Sequence, residues 1–256
     1  MILDEIVSKR KLDYIKKEKE LPISKLKELI KIDNKNYVFY DLFKQNKFIF
    51  ICECKHKSPS KGIIKENYNY LDIAKEYELS GANAISCLTE PNYFLGSDKH
   101  LEDIKNNVKI PVLRKDFIFS EYQIYEAKYI KADLILLICK ILDFNTLKKY
   151  IELAHSLYLS CLVECHSEEE VDMAIKAGAK VIGVNNRNLD DFTIDNNLAI
   201  NIREKYKDII LISESGVKDV SDVKKAKDAK MNGILIGEAL MKSNNINKTL
   251  KEFIEC

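Results

Sequence analysis

From about residue 48 onward, short apolar runs alternate with amphipathic stretches. The runs lie near "FIFICEC", "NAISCL", "PVLRKD", "DLILLI", "SCLVEC", "KVIGVN", "IILISES" and "NGILIG", each of strand length and mostly rich in β-branched residues. Between them, stretches such as "YLDIAKEYELSGA", "SEYQIYEAKYIKA", "SEEEVDMAIKAGA" and "VSDVKKAKDAKM" carry the helical period. Three helical stretches end in Gly81-Ala82, Lys131-Ala132 and Gly178-Ala179, the punctuation of a helix handing the chain to a strand. About eight such units in roughly 200 residues predict an α/β fold of the (β/α)8 barrel type. An open doubly wound sheet uses the same alternation, but no G-x-G-x-x-G follows the first run.

Residues 1–47 read as a helical lead-in to this barrel. "LDEIVSKRKLDYIKKEKELP" is a charged, periodic helix stopped by Pro22, and "ISKLKELIKI" is a candidate second helix. Its Lys/Glu alternation marks a solvated face rather than a nucleic-acid patch. With no low-complexity linker, residues 1–256 are expected to form one barrel domain.

The ends of the apolar runs are polar. Side chains two apart on a strand share a face, so Glu53 and Lys55 look the same way as Ile49 and Ile51, while Cys52, Cys54 and His56 look the other way. Leu113 pairs in this sense with Lys115, leaving Arg114 opposite; Leu162 pairs with Glu164, and Gly183 with Asn185 and Arg187. A carboxylate and an ammonium aimed into an apolar interior are costly unless they pair or serve a site. Glu53 and Lys55 are therefore either a structural ion pair or part of an active site, and barrel enzymes place catalysis at these strand ends.

Lys+Arg 41 against Asp+Glu 40 leaves no global field to attract nucleic acid or an anionic membrane, so any anion is bound locally. The N-terminus lacks the apolar core of a signal peptide, and runs such as "LILLIC" are too short to span a bilayer. A soluble, cytoplasmic protein is expected. Seven cysteines fit that compartment. Cys52/Cys54/His56 and Cys161/Cys165/His166 invite a zinc reading, but a pleated strand spaces such residues too widely for the turns structural zinc prefers. Buried thiols acting as small apolar residues are expected instead.

The motifs "CECKHKSPSKG", "SCLTEPNYFLGS", "PVLRKDFI", "CLVECHSEEE", "VIGVNNRNL", "LISESGV" and "GILIGEALM", in this order, resemble those of indole-3-glycerol phosphate synthases. The resemblance runs almost the whole length and implies a (β/α)8 barrel that closes the pyrrole ring of indole in tryptophan biosynthesis. The implied substrate is 1-(2-carboxyphenylamino)-1-deoxyribulose 5-phosphate, with loss of CO₂ and water and with no organic cofactor or metal.

Carried residue by residue, the resemblance implies Lys115 as the general acid that protonates the ketone, its proton loosened by partial desolvation. Lys55 would hold the substrate carboxylate or assist proton transfer; which lysine serves which step stays open. Glu164 would act in the dehydration, and Glu53 would set the lysines' charge and position. Asn185 and Arg187 would contact substrate, with Phe94 and Phe117 forming an apolar slot for the anthranilate ring. Ser58, Ser215-Gly216 and Gly237-Glu238 would bind phosphate, in the loops after strands 1, 7 and 8, where barrels commonly do so. Ser213 and Glu214 are read as structural. The sequence departs from the family at His56-Lys57 and at Glu238, which stands where some members have serine, so only the backbone is expected to serve there.

A phosphoribosylanthranilate isomerase would not need Lys55, Lys115 and Glu164 to converge. A non-catalytic scaffold would be expected to lose at least one strand-end charge. The expected partner is a small phosphorylated substrate, without nucleic acid or membrane. A monomer or weak dimer is expected, because a closed barrel leaves no edge strand to pair.

Overall fold

The computed structural model describes residues 2–32, 35–45 and 47–256. All eight apolar runs form parallel strands of a closed barrel. They are β1 (Ile49–Cys54), β2 (Ala84–Leu88), β3 (Val112–Lys115), β4 (Leu134–Ile138), β5 (Ser160–Cys165), β6 (Val181–Asn185), β7 (Ile210–Glu214) and β8 (Gly233–Ile236). Neighbours in the chain are neighbours in the sheet, and β1 closes on β8 through Ile49↔Gly233 to Cys52↔Ile236. A helix lies between each successive pair of strands. Asn69, Ser97, Asp143, Ser167, Asp219 and Asn245 each accept a backbone N–H in the first turn of the helix they open. Among the described residues, no helix is long and apolar enough to cross a membrane.

Strand parity sorts the core into two shells. Outward residues such as Phe50, Cys52, Ile85, Leu137 and Val163 pack against the helices. Inward residues such as Ile51, Leu113, Leu136, Leu162 and Ile212 fill the barrel. Six of the seven cysteines are buried and all seven are unpaired; Cys52, Cys54, Cys161 and Cys165 lie in the outer shell as small apolar residues.

The lead-in does more than expected. Its first helices are α1 (Ile2–Glu20) and α2 (Ile23–Leu29). Most of α1's lysines and glutamates are exposed, as the alternation predicted, but Leu3, Ile6, Arg10 and Tyr14 form a buried stripe. The Arg10 guanidinium grips the Asp116 carboxylate, with Nε donating to Oδ1 at 3.0 Å. Asp116 also accepts from the Thr89 hydroxyl at 2.8 Å and the Phe117 N–H at 2.9 Å. The clamp therefore fixes the residue between Lys115 and Phe117 from outside the barrel. Arg114, on the outward face as parity predicted, donates to Glu126 at 2.6 Å and Asp98 at 2.8 Å. Further along, Phe39 is fully buried in the inner cluster with Tyr40, Leu42 and Phe43 packed beside it. The Tyr40 hydroxyl accepts the Cys161 N–H near the start of β5 at 2.7 Å, so this segment stoppers the N-terminal end of the barrel.

Candidate active site

Alternate strands of a barrel contribute the four side chains of each interior layer, which are usually branched aliphatics. On β1, β3, β5 and β7 one such layer contains Ile51, Leu113, Leu162 and Ile212, all buried. Two residues further along the same strands stand Glu53, Lys115, Glu164 and Glu214. The pleat aims them into the same interior. The layer at the C-terminal mouth is thus one lysine among three glutamates.

Lys115 Nζ donates to Glu164 Oε2 at 3.2 Å and to Glu214 Oε2 at 3.4 Å, while Lys55 is ion-paired with Glu53. Burial disfavours the Lys115 charge, but Glu214, Glu164 and Glu53 together outweigh it and hold its pKa above the ordinary lysine range. Desolvation alone would loosen this proton, as expected from the sequence, but three surrounding carboxylates hold it more tightly. Burial would raise Glu164, yet Lys115, then His166 and Asn185, hold it well below the usual carboxylate range. Glu214 goes the other way. Burial, reinforced by Glu164 and Glu53 and opposed by Lys115, pushes it up to about 7. The site therefore pairs a firmly ionised carboxylate with one that holds a proton part of the time near neutrality, the split that acid–base chemistry uses.

Glu214 fits because β6 carries a glycine where its carboxylate lies. A Cβ on Gly183 would lie 1.9 Å from Glu214 Oε1. Gly183→Ala must displace the carboxylate, and Lys115 with it, so turnover should fall by about 10²-fold, as a misplacement of about 1 Å can produce. Steady-state kinetics beside a thermal melt check this; unchanged turnover would remove Glu214 from the site.

Asn185 Nδ2 donates to Glu164 Oε1 at 3.1 Å, and its Oδ1 accepts the Arg187 N–H at 3.0 Å, which fixes the orientation of the amide. Arg187 reaches toward Glu238, with 3.9 Å between Nη2 and Oε2. Phe94 and Phe117 face each other at 6.2 Å between ring centroids, tilted by 39°. The loop bearing Phe94 is shaped by buried Glu90, which accepts the N–H groups of Asn92, Tyr93 and Phe94 at 2.7–3.0 Å. Ser215 and Gly216 have φ of +63° and +89°, a left-handed pair that turns the backbone at the end of β7. Gly237 precedes the short helix Glu238–Lys242. A Cβ on Gly216 would also meet Asn196 Oδ1 at 2.4 Å, so the position is doubly restricted to glycine.

One cavity of about 770 Å³ is lined by Glu53, Lys55, Ser58, Phe94, Lys115, Phe117, Glu164, Asn185, Arg187, Ser215, Gly216, Gly237 and Glu238. The structure thus brings together every residue to which the resemblance assigns a catalytic, substrate-binding or phosphate-binding role. Three buried oxygens at this cavity, Glu53 Oε2, Glu214 Oε1 and Ser58 Oγ, have no hydrogen-bond partner among the described residues. Buried polar atoms are rarely left so, and they point to a polar ligand.

The sequence model of the indole-3-glycerol phosphate synthase family matches residues 3–253. The chain belongs to that family. It is 49% identical over 253 residues to the indole-3-glycerol phosphate synthase of Ruminiclostridium cellulolyticum, covering 98% of this chain and 97% of that one. The synthase of Endomicrobium trichonymphae is 49% identical over 258 residues, with 98% and 99% covered. Among solved structures, a 3-hexulose-6-phosphate synthase superposes with a TM-score of 0.66 at 15% identity, covering 81% of this chain and 99% of that one. A thiamine phosphate pyrophosphorylase from Pyrococcus furiosus gives 0.61 at 15% identity, with 82% and 96% covered. At that identity the likeness is one of barrel architecture.

Within this indole-3-glycerol phosphate synthase fold, sequence reasoning missed Glu214 as a site residue, although its parity with Ile210 and Ile212 carried the signal. It also missed Lys61, Lys218 and Lys242, which line the same cavity beside the proposed phosphate loops. Their signal was weak, because lysines are common throughout this chain. His56, by contrast, faces away as parity predicted and stacks on Tyr68 at 4.8 Å.

Proposed function

We propose that this chain converts 1-(2-carboxyphenylamino)-1-deoxyribulose 5-phosphate to indole-3-glycerol phosphate, and that the layer of Glu53, Lys115, Glu164 and Glu214 performs the chemistry. The observation that carries this reading is a buried ammonium held between two carboxylates of opposite protonation tendency at the mouth of an otherwise aliphatic barrel.

In the first stage the ring carbon bearing the carboxylate attacks the C2 ketone. Lys115 donates a proton to the ketone oxygen as it becomes an alkoxide, a stronger base than an amine even with Lys115 bound by carboxylates. Loss of CO₂ then restores the aromatic ring. In the second stage the former ketone oxygen leaves as water while the adjacent CH₂ loses a proton. Glu164, held ionised, is the base, and protonated Glu214 supplies the proton to the departing hydroxyl, directly or by first returning a proton to the Lys115 amine it contacts. Lys55, paired with Glu53, meets the substrate carboxylate. Asn185 steadies Glu164, and Arg187 reaches a hydroxyl or carboxylate of substrate. The apolar Phe94–Phe117 side takes the aryl ring. Ser58 and the backbone at Ser215-Gly216 and Gly237-Glu238 take the phosphate, with Lys61 and Lys218 nearby to balance its charge.

Mixing the protein with this substrate tests the reading: indole fluorescence should rise with one CO₂ released per indole formed. CO₂ release without indole, or neither, would overturn it. We further take the protein to be cytoplasmic, on its unpaired thiols, and to act as a monomer or weak dimer, because the barrel closes on itself. Light scattering from a tight higher oligomer would contradict the second point.

A further inference from the structure

Glu164 has a neighbour on the side away from the substrate cavity. His166 follows β5, with its Nε2 3.2 Å from Glu164 Oε1 and its Nδ1 3.5 Å from Glu170 Oε2. The imidazole side chain is only 12% exposed. Neither ring nitrogen makes a well-aligned hydrogen bond among the described residues, so both contacts are ionic in character. His166 lines a second, polar cavity of about 400 Å³ rather than the substrate cavity. Glu170 is fixed in place: its Oε2 accepts the backbone N–H of His166 at 2.7 Å, and its own N–H lies 3.3 Å from the capping hydroxyl of Ser167.

We infer that His166 is a positioning residue for Glu164, an imidazolium that joins Lys115 and Asn185 in keeping that carboxylate ionised and aimed. The inference rests on the reading of Glu164 as the dehydration base. Each Glu164 oxygen then has a defined partner: Oε2 takes the Lys115 ammonium, and Oε1 takes the Asn185 amide and the imidazolium. The arrangement needs the imidazole to stay charged. Burial opposes that charge, but Glu164 and Glu170 outweigh it and push His166 up to about 10. Across the second cavity, Lys140 is neutralised by Asp190 at 2.6 Å, and Arg187 and Asp195 complete the charged groups that line it. The helix that follows contributes Glu170. Without the imidazolium, Glu164 loses one of two cations while its burial stays. It then takes up a proton at a higher pH and is lost as a base sooner on acidification.

Three measurements test this. In the pH profile of kcat, His166→Asn should move the acidic limb upward by about 1–3 units, the effect of one close opposite charge. KM should change less than about twofold, because His166 does not line the substrate cavity and uniform binding is untouched. Only four histidines are present, so the imidazole signal missing from His166→Asn identifies His166 by NMR. In the unaltered protein that ring should remain protonated at pH 8 and titrate near 10. In Glu170→Gln, which leaves His166 in place if the first variant does not fold, the titration should fall toward ordinary values. A wild-type ring that titrates near 6.5, or an acidic limb unmoved in His166→Asn, would overturn the inference. Full activity in Glu164→Gln would overturn the underlying reading of Glu164 instead, and the NMR titration would still judge the ion pair by itself.

Discussion

Replacing Lys115 by methionine lowers turnover by about 10²- to 10⁴-fold, the range set by loss of a general acid, and leaves the barrel folded. Methionine keeps most of the aliphatic volume that packs at the mouth of the barrel. The charge left behind is also tolerable. Glu164 keeps Asn185 at 3.1 Å and His166 at 3.2 Å. Glu214, already pushed up to about 7, takes up a proton rather than remaining an unpaired buried carboxylate. Substrate affinity changes much less, since the phosphate and the aryl ring are held elsewhere in the cavity. If Lys115 served only to balance buried carboxylates, the variant would lose about 3–5 kcal/mol of stability, as broken buried pairs do, while its folded molecules kept near-normal turnover. Thermal melts and steady-state kinetics on this variant separate the two outcomes, and a destabilised but active protein would contradict the catalytic role.

The barrel and much of its site were legible because strand parity is a local rule. Ile51 predicts the direction of Glu53, Leu113 that of Lys115, and Leu162 that of Glu164, without knowledge of the rest of the fold. The same rule applied to Ile212 would have placed Glu214 in the site. Arg10 is a different case. Its partner Asp116 lies 106 residues away, and a lysine- and glutamate-rich helix gives no local sign of which cation will be buried. The stopper around Phe39 was hidden for a similar reason: a four-residue helix followed by a 3₁₀ turn carries too little periodicity to announce what it packs against. His166 was drawn into a metal reading by the thiol at Cys165, whereas in the fold Cys165 turns outward and sits 3.6 Å from Cys139, Sγ to Sγ. The protonation pattern was not legible either. It is set by four groups from four strands meeting within a few ångströms, where Glu214, Glu164 and Glu53 together outweigh the desolvation of Lys115.

Glu164→Gln bears on the division of labour between the two stages. The amide preserves volume, keeps one acceptor oxygen where the carboxylate offers Asn185 and Lys115 an oxygen each, and cannot serve as a base, so steady-state indole formation should fall by about 10²- to 10⁴-fold. Ring closure and decarboxylation depend on Lys115 and are expected to survive, because the first stage asks nothing of the Glu164 carboxylate beyond its place beside the ammonium. A single-turnover experiment with enzyme in excess, following released CO₂ and indole fluorescence in the same reaction, is the most direct measurement of that claim. The predicted result is near-stoichiometric CO₂ appearing well before indole in Glu164→Gln, with the two coincident in the unaltered protein. Simultaneous loss of both products, or simultaneous appearance at the unaltered rate, would contradict it.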